Sequence, residues 1–339
     1  MRLAHVRERH APAGAPWRLA AALDEGRWLD LEHARRRAIS GRPTLEHDSA
    51  LHRRPISTLD EALARGLRVA AFGELVDGFS PRDEGDDAVL DAGDLAFGKP
   101  LLQPLSLRDG YGFEGHVGTV WGRRDADIPE NWYRLAIFYF SNVSEMRGPD
   151  EPVWAPAASD ELDYELEIAA LIDTPVRDAP PERAEEAIGG YTILNDWSAR
   201  DLQRDETAVR LGPAKGKDFA SSIGPYLVTP DELEDARSGR GFALTMTATV
   251  NGAETSRGRW SDIHHGFAEL AARASTDVRL RAGELLGSGT VGTGCLLEVR
   301  DQTLGRYLLP GDEVVLSVER LGSLRTPIVA RPSDLVSTS

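Results

Sequence analysis

An α+β fold in which strands outnumber helices is predicted by three features of the sequence. From Leu101 onward the chain is built of short apolar runs separated by turn signals. Asn251-Gly252, at the end of the apolar run Phe242 to Val250, is the best short hairpin signal present. Regular strand–helix alternation is missing and no glycine-rich phosphate loop follows a strand, which argues against a parallel doubly wound sheet.

The elements follow in order. Residues 1 to about 100 read as short β pieces with one helix, a small N-terminal domain before a larger one spanning 101–339. Ser57-Thr58-Leu59-Asp60 opens that helix with capping-box-like spacing, and Gly66 closes it. Gly78 to Asp94 is acidic and contains glycine, the texture of a loop or linker. Leu135 to Phe140, Leu166 to Leu171 and Tyr191 to Leu194 read as buried or half-buried strands. Asp262 is positioned to cap a helix through His264 to Ala274, and Pro310-Gly311-Asp312 marks a turn before the strand Val314-Val315-Leu316. No fixed-period repeat is present.

Composition narrows the function. Acidic residues outnumber basic ones by 55 to 39, a formal charge of −16, which argues against general binding to nucleic-acid backbones. A few basic residues and a metal can still attract an anionic substrate within one cleft. Cys295 is the sole cysteine, so neither an intrachain disulfide nor a cysteine-based zinc site is expected. No apolar run approaches ~18 residues and the first residues lack a signal-peptide core. A soluble cytoplasmic protein with no membrane contact is the expectation.

Chemistry enters with an acidic cluster. In Asp163-Tyr164-Glu165-Leu166-Glu167-Ile168, residues two apart on a strand share a face, so Glu165 and Glu167 project together. Paired carboxylates repel, and a hard divalent cation with oxygen ligands would compensate. A solvated edge-strand face has the same spacing and stays open as the plain alternative. Asp196 follows an apolar strand, and Asp109 sits in a stretch with Gly110, Gly112 and Gly115 that reads as a loop able to wrap an ion. Alone, each of these acids fits a cap or turn equally well. An all-oxygen set suits Mg²⁺ or Ca²⁺, whereas zinc recruits His or Cys.

Taken in order, these segments resemble the fumarylacetoacetate hydrolase family over roughly residues 101 to 330. The acid in a central loop, the E-x-E strand and the acid after a strand fall on Asp109, Glu165, Glu167 and Asp196. Asn195-Asp196-Trp197-Ser198-Ala199-Arg200-Asp201-Leu202-Gln203, Lys217 in Gly216-Lys217-Asp218-Phe219, and Ser288-Gly289-Thr290 match specific family motifs. The pattern is closest to the fumarylacetoacetase branch: His116 stands seven residues after Asp109, Glu298 follows the Ser-Gly-Thr turn, and Tyr139 follows Asn131-Trp132. There are departures. The stretch from Asp196 to Lys217 is one residue longer, Ala220-Ser221 replaces a Gly-Thr pair, and the loop from Thr290 to Glu298 is shorter. An expected Arg after the His has two candidates, Arg123 and Arg124.

The resemblance implies a mixed β-roll catalytic domain and a homodimer. It implies a divalent cation, Mg²⁺ first with Ca²⁺ or Mn²⁺ as alternatives, held by Asp109, Glu165, Glu167 and Asp196. His116 would be the base for water, oriented by Glu298, with Lys217 steadying developing negative charge. Tyr139, Arg200, Gln203 and Thr290 would bind the substrate, a small 1,3-dicarbonyl acid cleaved hydrolytically at a carbon–carbon bond. β-Keto acid decarboxylation or tautomerisation, and sugar-acid hydration or dehydration, use the same cradle and form the alternative reading. A silent metal-binding scaffold has no need of His116 and Glu298. Plain roles are open too: Arg200 could pair with Asp196 or Asp201, Trp132 and Trp197 could simply pack, and His264-His265 reads as the start of a helix. Lys215 competes with Lys217, but the following Ser222-Ile223-Gly224-Pro225 sets the register for Lys217.

Overall fold

The structure, a computed structural model, describes residues 1–12, 14–41, 50–80 and 86–333. Among the described residues its spine is a mixed twelve-stranded sheet whose strands, from the middle to one edge, run in the order Ser221–Val228, Ile188–Asn195, Leu166–Ile172, Glu284–Gly287, Ser106–Gly110 and Phe138–Ser141. Of these neighbours only Glu284–Gly287 and Ser106–Gly110 are parallel; the others are antiparallel.

Leu166–Ile172 shows how the sequence selects this layering. All seven residues are buried. Alternation sends Ile168, Ala170 and Ile172 into one core and Ala169 and Leu171 into another. A strand covered on both faces reads as an unbroken apolar run. The first core is closed by a four-stranded antiparallel sheet of Ala253–Arg259, Thr245–Val250, Glu313–Val318 and Gly322–Pro327, with Met246, Ala248, Val314 and Leu316 turned inward. The second is filled from the N-terminal region by Leu3, Leu29, Leu31, Leu63 and Phe72.

The first hundred residues supply Arg2–Glu8, Arg18–Ala22, Arg27–Asp30, Val89–Asp91 and Leu95–Phe97. These strands extend the same sheet, with Arg2 and Leu3 registered against Val228 and Leu227. The helix expected near residue 58 spans Leu59–Ala64; Thr58 caps it by accepting from the Glu61 N–H at 3.2 Å, and Gly66 follows at φ +80°. Asn251 and Gly252 take the positive φ values of a tight hairpin, 52° and 79°, joining Val250 to Ala253.

Several expectations need correction. Within the acidic stretch 78–94, residues 81–85 lie outside the described residues, and the remainder is not all loop: Val89–Asp91 pairs with Arg27–Leu29. The helix expected from Asp262 is Phe267–Ser275, preceded by Gly266 with no side-chain cap. The N–H groups of His264 and His265 both donate to Gly112 O, which holds the pair out of the helix. The run 242–250 is split, Gly241–Phe242 pairing with Arg237–Ser238 before Thr245–Val250 begins. The strand expected from Leu135 starts at Phe138, because Glu130–Arg134 form a helical turn just before it. Among the described residues no helix is long and apolar enough to cross a membrane.

Candidate active site

Antiparallel neighbours with one parallel pair bring distant parts of the chain to a single end of adjoining strands. Leu166 lies opposite Asn195, Ala169 opposite Gly287, Gly287 opposite Asp109 and Asp109 opposite Tyr139. Glu167 at the head of its strand, Asp196 just past its own, Asp109 and Tyr139 therefore meet. Asp109 is part of the strand Ser106–Gly110 and not of a wrapping loop, which corrects the sequence reading. The glycines act by leaving room. A Cβ at Gly287 would stand 2.0 Å from Asp109 Oδ1, and one at Gly112 would stand 2.6 Å from Ser288 O.

Asp109, Glu167 and Asp196 are buried and offer carboxylate oxygens that all lie within 4.8 Å of one another. Asp109 Oδ1, Glu167 Oε2 and Asp196 Oδ1 have no hydrogen-bond partner among the described residues. Burial, then the Asp196 charge, pushes the Asp109 carboxyl well above the usual carboxylate range; burial, then Asp109, does the same to Glu167. Burial also raises Asp196, against the pull of Lys217. Orphaned, mutually repelling oxygens in a dry setting are the donor set a hard divalent cation requires, so these residues fit such an ion.

Glu165 has a different surrounding. Its Oε2 accepts from Lys217 Nζ, and its Oε1 lies 2.8 Å from Arg200 Nη2. Burial opposes its charge, but Lys217 and Arg200 outweigh it and hold the carboxyl far below the usual range. Lys217 is buried and also donates to Asp196, whereas Lys215 is exposed and pairs with Asp218. Tyr139 OH donates to Asp196 Oδ2 at 2.6 Å, and Thr290 Oγ1 to Glu167 Oε1 at 3.1 Å.

His116 lies in the first turn of the helix Glu114–Gly122, and its Nδ1 is 3.1 Å from Glu298 Oε2. Burial pushes the Glu298 carboxyl up, but the neighbouring His116 brings it below its ordinary value. The Tyr111 and His116 rings meet edge to face, their centroids 5.7 Å apart. A cleft of about 750 Å³ opens beside these groups. Asp109, His116, Tyr139, Glu165, Glu167, Arg200, Gln203, Lys217 and Thr290 all line it, with Asp196 and Glu298 set behind them. Arg123 and Arg124 both reach the lining from the exposed end of the His116 helix.

Arg200 is held by the protein itself. Its Nε donates to Asp163 Oδ2 at 2.8 Å and its Nη1 to Gln203 Oε1 at 3.0 Å, with Glu165 on the third nitrogen. Its partners are thus Asp163 and Glu165, not Asp196 or Asp201. Asp163 is the important residue that sequence reasoning passed over. Besides Arg200, it accepts from the N–H groups of Leu296 and Leu297 at 2.8 and 2.9 Å, anchoring the turn that carries Glu298. The signal was present, because the two-residue alternation that pairs Glu165 with Glu167 extends back to Asp163. Trp197 and Trp132 pack as expected, their N–H groups satisfied by Ser222 and the Tyr111 carbonyl. His265 bonds the Trp132 carbonyl at 2.6 Å.

The carboxylate cluster and the His116–Glu298 pair thus meet at the ends of neighbouring strands and face one cleft. The chain belongs to the fumarylacetoacetate hydrolase family: residues 106–329 match the model described as fumarylacetoacetate (FAA) hydrolase, C-terminal. It is 30% identical over 195 residues to 2,4-didehydro-3-deoxy-L-rhamnonate hydrolase of Sphingomonas sp., covering 57% of this chain and 64% of that protein. It is 26% identical over 278 residues to oxaloacetate tautomerase YisK of Bacillus subtilis, covering 80% of this chain and 86% of the relative. Its fold matches that of the fumarylacetoacetate hydrolase from Exiguobacterium antarcticum with a TM-score of 0.68 at 23% identity, covering 98% and 100% of the two chains.

Proposed function

We propose that this chain is a divalent-metal-dependent hydrolase that cleaves a carbon–carbon bond in a small 1,3-dicarbonyl acid. The observation that carries the reading is the His116–Glu298 pair, at 3.1 Å, beside an all-carboxylate cradle in one cleft. Asp109, Glu167 and Asp196 would hold the cation, with Glu165 as a fourth donor; Mg²⁺ is the first choice, then Ca²⁺ or Mn²⁺. When bound, the cation supplies Lewis-acid polarisation of the dicarbonyl oxygens and neutralises charge that develops on them.

The remaining roles follow from the side chains. Glu298 engages His116 Nδ1 and leaves Nε2 to take the proton of an attacking water. Water adds to one carbonyl, the bond to the neighbouring carbon breaks, and the electron pair leaves on that carbon as an enolate. His116, now protonated, is placed to return the proton. Lys217, kept charged by Glu165 and Asp196, faces the cleft as a fixed cation for the enolate or oxyanion. Tyr139, Gln203 and Thr290 would orient the substrate. Arg200 would act chiefly by positioning Glu165, whose Oε1 lies 2.8 Å from its Nη2.

A second reading, keto–enol tautomerisation of a β-keto acid, is favoured by the long match to the oxaloacetate tautomerase. It needs proton transfer without attack by water. The test is a screen of 1,3-dicarbonyl acids with Mg²⁺, following loss of the enol absorbance and resolving products by NMR. Two fragments support hydrolysis and one isomer supports tautomerisation. Chelation should abolish turnover and Mg²⁺ restore it. His116→Ala should lose ~10²–10⁴ of the hydrolytic rate while still binding metal. Near-full turnover in that variant would end the hydrolase reading.

A further inference from the structure

Cys295 has no part in the chemistry above. It is fully buried and stands at the start of the short helix Leu296–Val299 that carries Glu298. Its Sγ lies 3.4 Å from Glu298 Oε2, the oxygen that lies 3.1 Å from His116 Nδ1. One sulfur, one nitrogen and one oxygen donor are thus gathered within 4.8 Å. With Zn–N and Zn–O of ~2.1 Å and Zn–S of ~2.3 Å, adjacent corners of a zinc tetrahedron fall about 3.4 Å (N to O) and about 3.6 Å (S to O) apart. The measured spacings are within a few tenths of an ångström of those edges. The donors also differ in kind from the all-oxygen cradle, and a mixed S, N and O set selects borderline-soft cations.

From this geometry we infer that His116, Cys295 and Glu298 form a second metal site, specific for thiophilic divalent cations such as Zn²⁺, whose occupation stops turnover. The binding half stands on these three residues alone, while the inhibition half rests on His116 serving as the base. On binding, the Cys295 thiol proton is released to water and a sulfur–metal bond takes its place. His116 Nδ1 and Glu298 Oε2 turn from each other to the ion, and the base loses its orientation. The cleft that His116 lines is the route of entry. Zn²⁺ in excess therefore inhibits an enzyme that Mg²⁺ activates.

Cd²⁺ and Co²⁺ are the probes, titrated into full-length protein held in excess Mg²⁺ so that the cradle is saturated. A sulfur-to-metal charge-transfer band reports on Cys295 alone, because the chain has one cysteine. The expected result is a band saturating at one equivalent per chain, with inhibition rising in step. His116→Ala and Glu298→Gln should each weaken Cd²⁺ binding by ~100-fold or more, beyond the ~10–100-fold cost of losing an outer-shell partner. Cys295→Ser should abolish the band and raise the Zn²⁺ concentration for half-inhibition about tenfold or more, each protein being compared with its own Zn²⁺-free rate. Circular dichroism shows whether each variant is folded. Absence of a band in the parent protein overturns the proposal, and so does a band whose affinity ignores the loss of His116 and Glu298. Zn²⁺ inhibition unchanged by Cys295→Ser overturns the inhibitory role. The band is read without substrate, so its fate is separable from that of the hydrolase reading.

Discussion

Replacing Asp163 by Ala tests whether one buried carboxylate couples the cradle to the His116–Glu298 pair. The side chain accepts three bonds: from Arg200 Nε at 2.8 Å, and from the N–H groups of Leu296 and Leu297 at 2.8 and 2.9 Å. Truncation strands the two backbone donors at ~1–2 kcal/mol each, near the lower end of the cost of an unsatisfied buried group. Arg200 keeps Glu165 and Gln203, so its share lies below the ~3–5 kcal/mol of a fully broken buried pair, on the order of 1 kcal/mol. The sum is ~3–5 kcal/mol. At about 1.4 °C per kcal/mol for a chain of this length, the melting midpoint should fall by about 4–7 °C. Asp163→Asn keeps one acceptor and turns an amide N–H₂ toward donors, so it should fall between the two. Asp160→Ala, on the exposed neighbouring turn, is the control and should stay within ~0.5 kcal/mol. Thermal melts of the Mg²⁺-loaded proteins at pH 7 give the answer. An Asp163→Ala midpoint within experimental error of the parent would refute the coupling.

Three further outcomes are expected. Gly287→Ala places a Cβ 2.0 Å from Asp109 Oδ1, so calorimetry with Mn²⁺ should show affinity reduced by ~10–100-fold; unchanged affinity would remove Asp109 from the cradle. His5 is buried, its Nδ1–H donating to Lys99 O at 2.8 Å and its Nε2 accepting from Leu59 N–H at 3.1 Å, an arrangement only the neutral ring can make. Burial holds its pKa below the ordinary 6.5, against the Lys99 carbonyl and Asp60, which raise it. The unfolded chain therefore binds a proton that the folded chain refuses, so this stability is present above about pH 6.5 and drains as pH falls, by up to ~1.4 kcal/mol per unit. Denaturant titrations from pH 7 to 5 should show a shallower slope in His5→Gln, and equal slopes would discount His5. Light scattering should report about twice the 37.0 kDa chain mass. Phe140, 66% exposed on the edge strand Phe138–Ser141, is a candidate contact, and Phe140→Glu should shift the population toward monomer.

What the sequence disclosed, and what it hid, follows from where each signal resides. Leu166–Ile172 was legible because a strand buried on both faces must be apolar throughout, and Asn251-Gly252 because few residue pairs accept two positive φ values. The candidate residues converge because short strands in mixed order bring Asp109, Glu167 and Asp196 to one end of the sheet's inner strands, so motif order along the chain becomes proximity in space. The helices Glu114–Gly122 and Arg200–Ala208 left no such trace. The first carries Gly115, Gly118 and Gly122, and its apolar residues reduce to Val117, Val120 and Trp121. The second, RDLQRDETA, is polar almost all round and is pinned by Arg200 to Asp163 and by Asp201 to Ser159 and the Asp160 N–H. Its stability lies in contacts across the fold, which no local window contains. Asp163 is the instructive intermediate. Its phase with Glu165 and Glu167 is written in the sequence, yet its partners lie 37 residues away at Arg200 and more than 130 away at Leu296 and Leu297. A two-residue period can therefore state that three acids share a face, but which acid keeps an oxygen free of hydrogen bonds, which pairs with Lys217 and which anchors a turn is decided by the strands laid beside them. For Asp163 the answer was an arginine and two backbone N–H groups, and that division of labour makes its truncation a test of how the fold holds the site together.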